Sequence, residues 1–326
     1  MENKYSNKYL IETGIGLQDV DGLQNSSYFL SQADRYIKGE ISLEELDKIV
    51  TSYYESKPTN DERTEEADIV SNRIAQIISD DYFTFTVGQL VSIHKRLFEG
   101  VFPHAGKLRD FNFIKKEWVL DGRSVIYGDY HELRSTLEYD FETERHFKYE
   151  GLSNDQIIEH LATFISNLWQ IHAFQEGNTR TTAVFFIKYL RSLGFDVTND
   201  VFAKNAWYFR NALVRANFKY IAKGLYDDKT YIILFLRNLL LNEHNELKNR
   251  QMRISIDTTK DEPLSRESHI INLMKENPYI KVDELATKVK VSPRTIDNVI
   301  ASLTKESKIR RVNGKRYGYW EIISNK

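Results

Sequence analysis

The chain contains no cysteine. Disulfides, thiolate metal centres and a cysteine nucleophile are thereby excluded, and a reducing, cytoplasmic setting fits. Proline and glycine are sparse, 5 and 15 among 326 residues, which disfavours a turn-rich all-β fold. Long apolar runs are also missing. F-L-R-N-L-L-L near residue 235 falls well short of the roughly 18 residues that suggest a membrane helix. The opening M-E-N-K-Y-S-N-K-Y-L lacks the apolar stretch of a signal peptide. The sequence therefore predicts a cytoplasmic protein with no membrane partner. Net charge is only −2, but it is segregated. Residues 1–70 hold 15 Asp/Glu against 7 Lys/Arg, and residues 261–326 hold 13 Lys/Arg against 9 Asp/Glu. An acidic head and a basic tail suggest different partners, although both also read as solvated surface.

What is present is helical patterning. A single core rarely grows past about 250–300 residues, so several domains are expected. Four segments emerge: 1–58, a group of short helices; 59–250, the main helical body; 251–264, a weakly periodic linker; and 265–326, a compact basic unit. In the first, Ser42 and Glu45 form a capping-box pattern, and Lys57 to Asn60 looks like a linker. Residues 62–98 give two helices broken near D-D-Y-F-T-F-T. F-N-F-I-K-K-E-W-V-L, D-G-R and S-V-I-Y-G-D then read as a β-hairpin turning at Asp121-Gly122. Helices are expected at Asp155–Ile171, Thr181–Leu193 and Ala203–Lys223.

The sharpest chemical signal is I-H-A-F-Q-E-G-N-T-R-T-T-A, residues 171–183. It lies between two strong helices. A helix N-terminus presents unpaired N–H groups and favours phosphate. Gly177 lets the backbone approach a ligand; Asn178 and Arg180 offer donors suited to phosphate oxygens. Glu176 is a lone carboxylate of the kind that holds Mg²⁺ together with substrate phosphates. His172 has the ordinary pKa of a general base near neutrality. A base, a metal ligand and an anion cradle are what phosphoryl or nucleotidyl transfer needs. The same residues also read as a hydrogen-bonded structural histidine with loop caps around it.

H-A-F-Q-E-G-N-T-R resembles the signature of the Fic (Fido-fold) family, H-P-F-x-[D/E]-G-N-G-R-x-x-R. His172, Phe174, Glu176, Gly177, Asn178 and Arg180 coincide with it. Upstream, F-E-G-V-F-P-H-A-G-K-L-R-D-F-N is similar to the family's entry into its flap. The resemblance covers roughly residues 60–240. It implies a mainly α fold carrying a β-hairpin flap, and transfer of AMP from ATP, with Mg²⁺, to a hydroxyl of a target protein or of the chain itself. By position, His172 would be the catalytic base, Glu176 the metal ligand, and Gly177, Asn178, Thr179 and Arg180 the nucleotide phosphate site. Phe174 would anchor the loop. Lys115, Lys116, Trp118 and Val119 would belong to the flap that clamps the target by strand pairing. Three positions depart from the signature: Ala173, Thr179 and Ala183. The last replaces the second arginine, which in the family helps to place the γ-phosphate and pairs with an inhibitory glutamate.

I-G-L-Q-D-V-D-G-L-Q-N-S and the helices after it resemble antitoxin domains of the VbhA type, whose motif is [S/T]-x-x-x-E-[G/N]. Asp21 and Gly22 occupy the Glu-Gly place, with Leu17 where Ser or Thr belongs. Since Asp is short and its expected partner is Ala183, weak or differently built inhibition is predicted. The alternative is that residues 1–58 merely cover apolar surface.

The last unit resembles a winged helix-turn-helix. Arg294, Thr295 and Asn298 would face DNA from the third helix. Lys308, Arg310, Arg311, Lys315 and Arg316 cluster in the wing, which turns at Asn313-Gly314 and has no acidic residue among those cations. Winged helices also dock proteins, so DNA and protein partners both stay open, as do homodimer formation, a nucleotide-sensing regulator, another donor, and AMP removal.

Overall fold

A computed structural model describes residues 4–56, 62–255, 266–289, 291–312 and 319–323. The chain divides into two compact units, residues 1–255 and 256–326. The fold is mainly α. In the larger unit the helices are α1 (Asn7–Gly16), α2 (Ser27–Ile37), α3 (Leu43–Ser56), α4 (Glu62–Ser79), α5 (Val87–Phe98), α6 (Leu133–His146), α7 (Asn154–Ile171), α8 (Asn178–Ser192), α9 (Val201–Ala216), α10 (Thr230–Leu241) and the short α11 (Asn249–Met252). No helix is long and apolar enough to cross a membrane among the described residues.

Local chemistry explains the helix limits. Ser42 and Glu45 exchange side-chain and backbone bonds ahead of α3, as the capping-box pattern requires. Ser153 and Gln156 do the same at the start of α7. Helix α8 is the centre of the unit. Every residue from Asn178 to Leu190 is buried, and α4, α5 and α7 pack around it. Its middle, from Ala183 to Ile187, is apolar on all sides, as such a position requires, while the buried Arg180 and Lys188 find polar partners.

Residues 1–56 belong to the same compact unit. Helix α1 lies against α4 and α9 at a separation that only glycine permits. A Cβ on Gly14 would meet the Ser71 carbonyl oxygen at 2.2 Å, and one on Gly16 the Ala203 carbonyl oxygen at 2.1 Å. The following 3-10 turn, Leu17–Asp21, is thereby laid across α4, α8 and α9. Asp68 on α4 fixes the exit of that turn. Fully buried, it accepts hydrogen bonds from Asn25 Nδ2 at 3.0 Å, the Ser26 amide at 2.9 Å and the Tyr54 hydroxyl at 2.6 Å.

Several expectations change. The hairpin between residues 111 and 129 turns at Asp121-Gly122, both at positive φ, but its arms form no strand pair. The Glu117 amide bonds the Arg123 carbonyl, while the Lys115 amide turns to the Ser124 hydroxyl instead of a backbone carbonyl. Residues 118–120 coil into a 3-10 turn that buries Val119 and Leu120. The expected helix 203–223 ends at Ala216, where Asn217 donates to the Ser166 and Leu213 carbonyls. The expected linker begins later than residue 251: Met252 is fully buried, and the Ile254 amide bonds the Val119 carbonyl at 2.9 Å. Residues 57–60 and most of the remaining linker lie outside the described residues.

The smaller unit contains α12 (Arg266–Glu276), α13 (Val282–Val289), α14 (Pro293–Lys305), β1 (Ile309–Val312) and β2 (Tyr319–Ile322). Ser292 caps α14 with Pro293 at its first position. The two strands are antiparallel, Ile309 facing Ile322 and Val312 facing Tyr319. Ile270, Met274, Leu285, Ile296, Leu303 and Ile309 form its core.

Candidate functional site

Helix α7 ends because His172 adopts a left-handed conformation, φ 51° and ψ 56°. For a residue other than glycine this is uncommon and is held only by its surroundings. Arg109 supplies them. Its guanidinium donates to the carbonyls of His172 at 2.7 Å, Ile171 at 3.3 Å, Phe111 at 2.6 Å and Gly128. One side chain therefore ties the turn after α7 to both arms of the flap.

The imidazole is 4% exposed and lies in an aromatic socket. Tyr127 stacks on it at 4.1 Å, and Trp169 meets it edge-on at 5.1 Å. Its Nδ1 faces the Trp169 carbonyl at 3.3 Å, which assigns the proton to Nδ1 and leaves the Nε2 lone pair free. Burial, then the charge of Lys115, hold its pKa well below the ordinary histidine value. The ring is thus neutral at pH 7. A cavity of about 380 Å³ contains His172 together with Phe113, Lys115, Glu176, Gly177, Asn178 and Thr179 in its lining.

The loop between α7 and α8 is rigidly built. The Asn178 side chain accepts from the Phe174 amide at 2.9 Å and donates to the Phe174 carbonyl at 2.7 Å. The Thr179 hydroxyl accepts from Trp169 Nε1 at 2.9 Å. These two side chains hold the loop, so the side chains expected to contact phosphate at 178 and 179 are already engaged. Helix α8 starts at Asn178, three residues before the expected Thr181, and has no side-chain N-cap. Gly177 is obligatory: at φ 70°, an added Cβ would lie 2.3 Å from the Phe98 ring. Phe174 is buried against His94, centroids 3.8 Å apart. His94 accepts from the Gly106 amide at 2.8 Å and directs its other nitrogen to the Glu176 carbonyl at 3.1 Å. Burial pushes its pKa down to about 4. The Glu176 carboxylate stands exposed at the rim.

Arg180 is the principal surprise. It is 1% exposed, and its fork is already occupied. Nη2 lies 2.6 Å from Glu66 Oε1, Nη1 bonds Gln18 Oε1 at 3.0 Å, and Nε is 3.0 Å from Asp21 Oδ2. The last contact is an ion pair without hydrogen-bond alignment, since both atoms lack a hydrogen-bond partner. Asp21 was expected to lose its partner through Ala183; the fold gives it Arg180 instead. Gly22 ends the turn at φ 65° with nothing near its Cα face. Asp21, Glu66, Glu176 and Arg180 line a second cavity of about 780 Å³ with Arg63, Lys115, Trp207 and Arg210. Arg210 pairs with the buried Glu117 at 2.7 Å, and the Tyr127 hydroxyl donates to the same carboxylate at 3.3 Å.

Residues 84–190 match the family model described as Fic/DOC family. The chain carries a Fic/DOC domain. Residues 266–319 match an HTH domain model. A stretch of 116 residues is 25% identical to protein adenylyltransferase VbhT of Bartonella schoenbuchensis, covering 36% of this chain and 23% of that relative. The chain thus spans about a quarter of the length of the curated relative it matches. Among solved structures, the BepC effector of Bartonella tribocorum with bound AMPPNP is 19% identical, with a TM-score of 0.44 over 55% of this chain and 86% of that one. A Fic family protein from Desulfovibrio desulfuricans G20 is 11% identical, with a TM-score of 0.43 over 98% and 88%.

The Fic/DOC domain and the turn before α2 bring His172, Glu176, the α8 N-terminus, Lys115 and Asp21 together. Of the other flap residues, Lys116 and Trp118 are exposed, and Arg253 lies over the Trp118 ring. Val119 is fully buried and cannot touch a target. Sequence reasoning missed Gln18, Glu66, His94, Arg109, Glu117 and Arg210. Arg109, Gln18 and Glu117 lie in the stretches similar to the flap entry, the antitoxin-like turn and the hairpin, whereas Glu66, His94 and Arg210 carried no signal.

In the HTH unit, Arg294 and Asn298 are exposed on α14, and Thr295 is half-buried with its hydroxyl on Ser292. The wing is less basic than its sequence suggested. Arg310 pairs with Glu321 across the strands, Arg311 lies over the Trp320 ring at 4.6 Å, and Lys308 pairs with Glu306. Antiparallel register brings Glu321 to Arg310 from a distant point in the sequence, whereas Glu306 is a local partner of Lys308. Lys315, Arg316 and the Asn313-Gly314 turn lie outside the described residues.

Proposed function

We propose that the protein is an adenylyltransferase that moves AMP from ATP to a Ser, Thr or Tyr hydroxyl of a target protein or of itself. The observation that carries this reading is the convergence of a neutral imidazole, an exposed carboxylate and an uncapped helix N-terminus on adjoining cavities. The target oxygen attacks the α-phosphorus, the bond to pyrophosphate breaks, and His172 Nε2 receives the hydroxyl proton. The amides of Asn178, Thr179 and Arg180 hold the phosphates at the positive end of α8. Arg109 and Tyr127 keep the imidazole in place.

Glu176 suits Mg²⁺: it is a lone exposed carboxylate beside the phosphate cradle, and a metal of this type takes few protein ligands when phosphates complete its shell. When bound, the ion would neutralise phosphate charge. No group of three or more acidic or histidine side chains placed to hold a metal occurs among the described residues. Lys116 and Trp118, exposed on the flap, form the proposed target-binding edge; Asp21 and Gly22 form the proposed brake.

The test is incubation of the full chain with ATP and Mg²⁺, alone and with a lysate, followed by intact mass measurement. A gain of one AMP that disappears in His172→Ala supports the reading. No transfer, with nucleotide still bound, supports a second reading: a DNA-binding regulator whose pocket senses nucleotide. The occupied fork of Arg180 favours that second reading. DNA binding by Arg294, Thr295, Asn298, Arg310 and Arg311 is common to both.

A further inference from the structure

The two cavities share three lining residues, Asp21, Lys115 and Glu176. A ligand extending from the α8 N-terminus into the larger cavity must pass them. Four cations line that larger cavity, and three are already engaged. Arg180 faces Asp21, Glu66 and Gln18. Arg210 is paired with Glu117. Arg63 donates to the Asp21 carbonyl at 2.8 Å.

Lys115 differs. Its ammonium makes no hydrogen bond among the described residues, its side chain is 41% exposed, and its nearest carboxylate, Asp21, is 4.0 Å away. Its backbone is nonetheless anchored through Ser124, and two residues on, Glu117 is locked into the interior by Arg210. A fixed stem with a loosely held head can meet a phosphate without first breaking a strong pair. Such a cation is also needed. The α8 amides can serve one or two phosphates, the charge of Arg180 is offset by two carboxylates, and Ala183, one turn along α8, contributes no charge.

We propose that Lys115 binds the terminal phosphates of the donor and so selects a nucleoside triphosphate over a monophosphate. This rests on the reading of the site as a nucleotide site.

The experiment is calorimetric titration of the full chain carrying Asp21→Ala, which opens the throat, with α,β-methylene-ATP and with AMP, both with Mg²⁺. Adding Lys115→Ala should weaken α,β-methylene-ATP about tenfold or more, as loss of one partly exposed charged contact implies, and AMP less than about twofold. Lys115→Arg should restore most of the triphosphate affinity. Equal weakening of both ligands, or no weakening, overturns the role of Lys115 while leaving the nucleotide site intact. If the Asp21→Ala chain binds neither ligand, both this proposal and the functional reading fall.

Discussion

Asp21 Oδ2 lies 3.0 Å from Arg180 Nε, so the turn after α1 reaches the first helical turn of α8. The contact depends on close packing of Gly14 and Gly16 upstream and on the Asp68 anchor downstream. It replaces the pairing that Ala183 cannot make. Because the pair lacks hydrogen-bond alignment, it is a mild restraint, and Glu66 remains on Arg180 when Asp21 is removed. Asp21→Ala is therefore expected to raise AMP transfer about three- to tenfold, a change on the order of 1 kcal/mol. Initial rates on the chain itself measure this. An unchanged rate means the contact is not a brake, and a rise far beyond tenfold means the restraint is stronger than its geometry.

His94 gives a pH prediction. It is fully buried, and its pKa falls to about 4 from an unfolded value near 6.5. A proton is therefore bound by the unfolded chain before the folded one. Stability is full above about pH 6.5 and declines as pH falls toward 4, by about 1.4 kcal/mol per pH unit for this group. His172, shifted the same way, adds to the slope. Urea melts at several pH values should show a shallower acid decline for His94→Gln. An identical slope would remove His94 from the account.

Arg109 holds four backbone carbonyls from the turn after α7 and both flap arms. Arg109→Ala leaves several of these without partners, at about 1–3 kcal/mol for each group that stays buried. Thermal unfolding should shift down clearly. The remaining folded chain should lose AMP transfer by more than about tenfold, since the His172 backbone conformation is no longer enforced. A variant with lower stability and undiminished transfer would assign Arg109 to the fold alone.

The smaller unit offers a test by salt. With Arg310 paired to Glu321 and Lys308 to Glu306, few described wing cations remain for phosphates. DNA affinity should fall with salt with a modest slope of about 3–5 ion equivalents. Arg294→Ala and Asn298→Ala should reduce sequence preference more than overall affinity. Weak binding that ignores salt would point to protein docking.

Much of the architecture was legible in the sequence because its signals are local. The Ser42/Glu45 and Ser292/Pro293 starts, the break between α4 and α5, and the histidine–glutamate–glycine spacing after α7 all depend on residues within one or two turns of each other. The flap was misread for the same reason. Alternating aromatic and β-branched residues specify a strand only when a partner backbone is available, and here Val119 and Leu120 find the core first.

The sequence by itself determined where His172, the Glu176 carboxylate and the first amides of α8 lie along the chain, since a helix end and a glycine at positive φ place them locally. Only the tertiary structure decided what those groups face. Arg180 meets Glu66 and Asp21, Glu117 meets Arg210, and His94 holds the Glu176 carbonyl. Each pair joins elements far apart in sequence. Charge pairing of this kind has no periodicity to read, because it is set by which helices pack together and how closely.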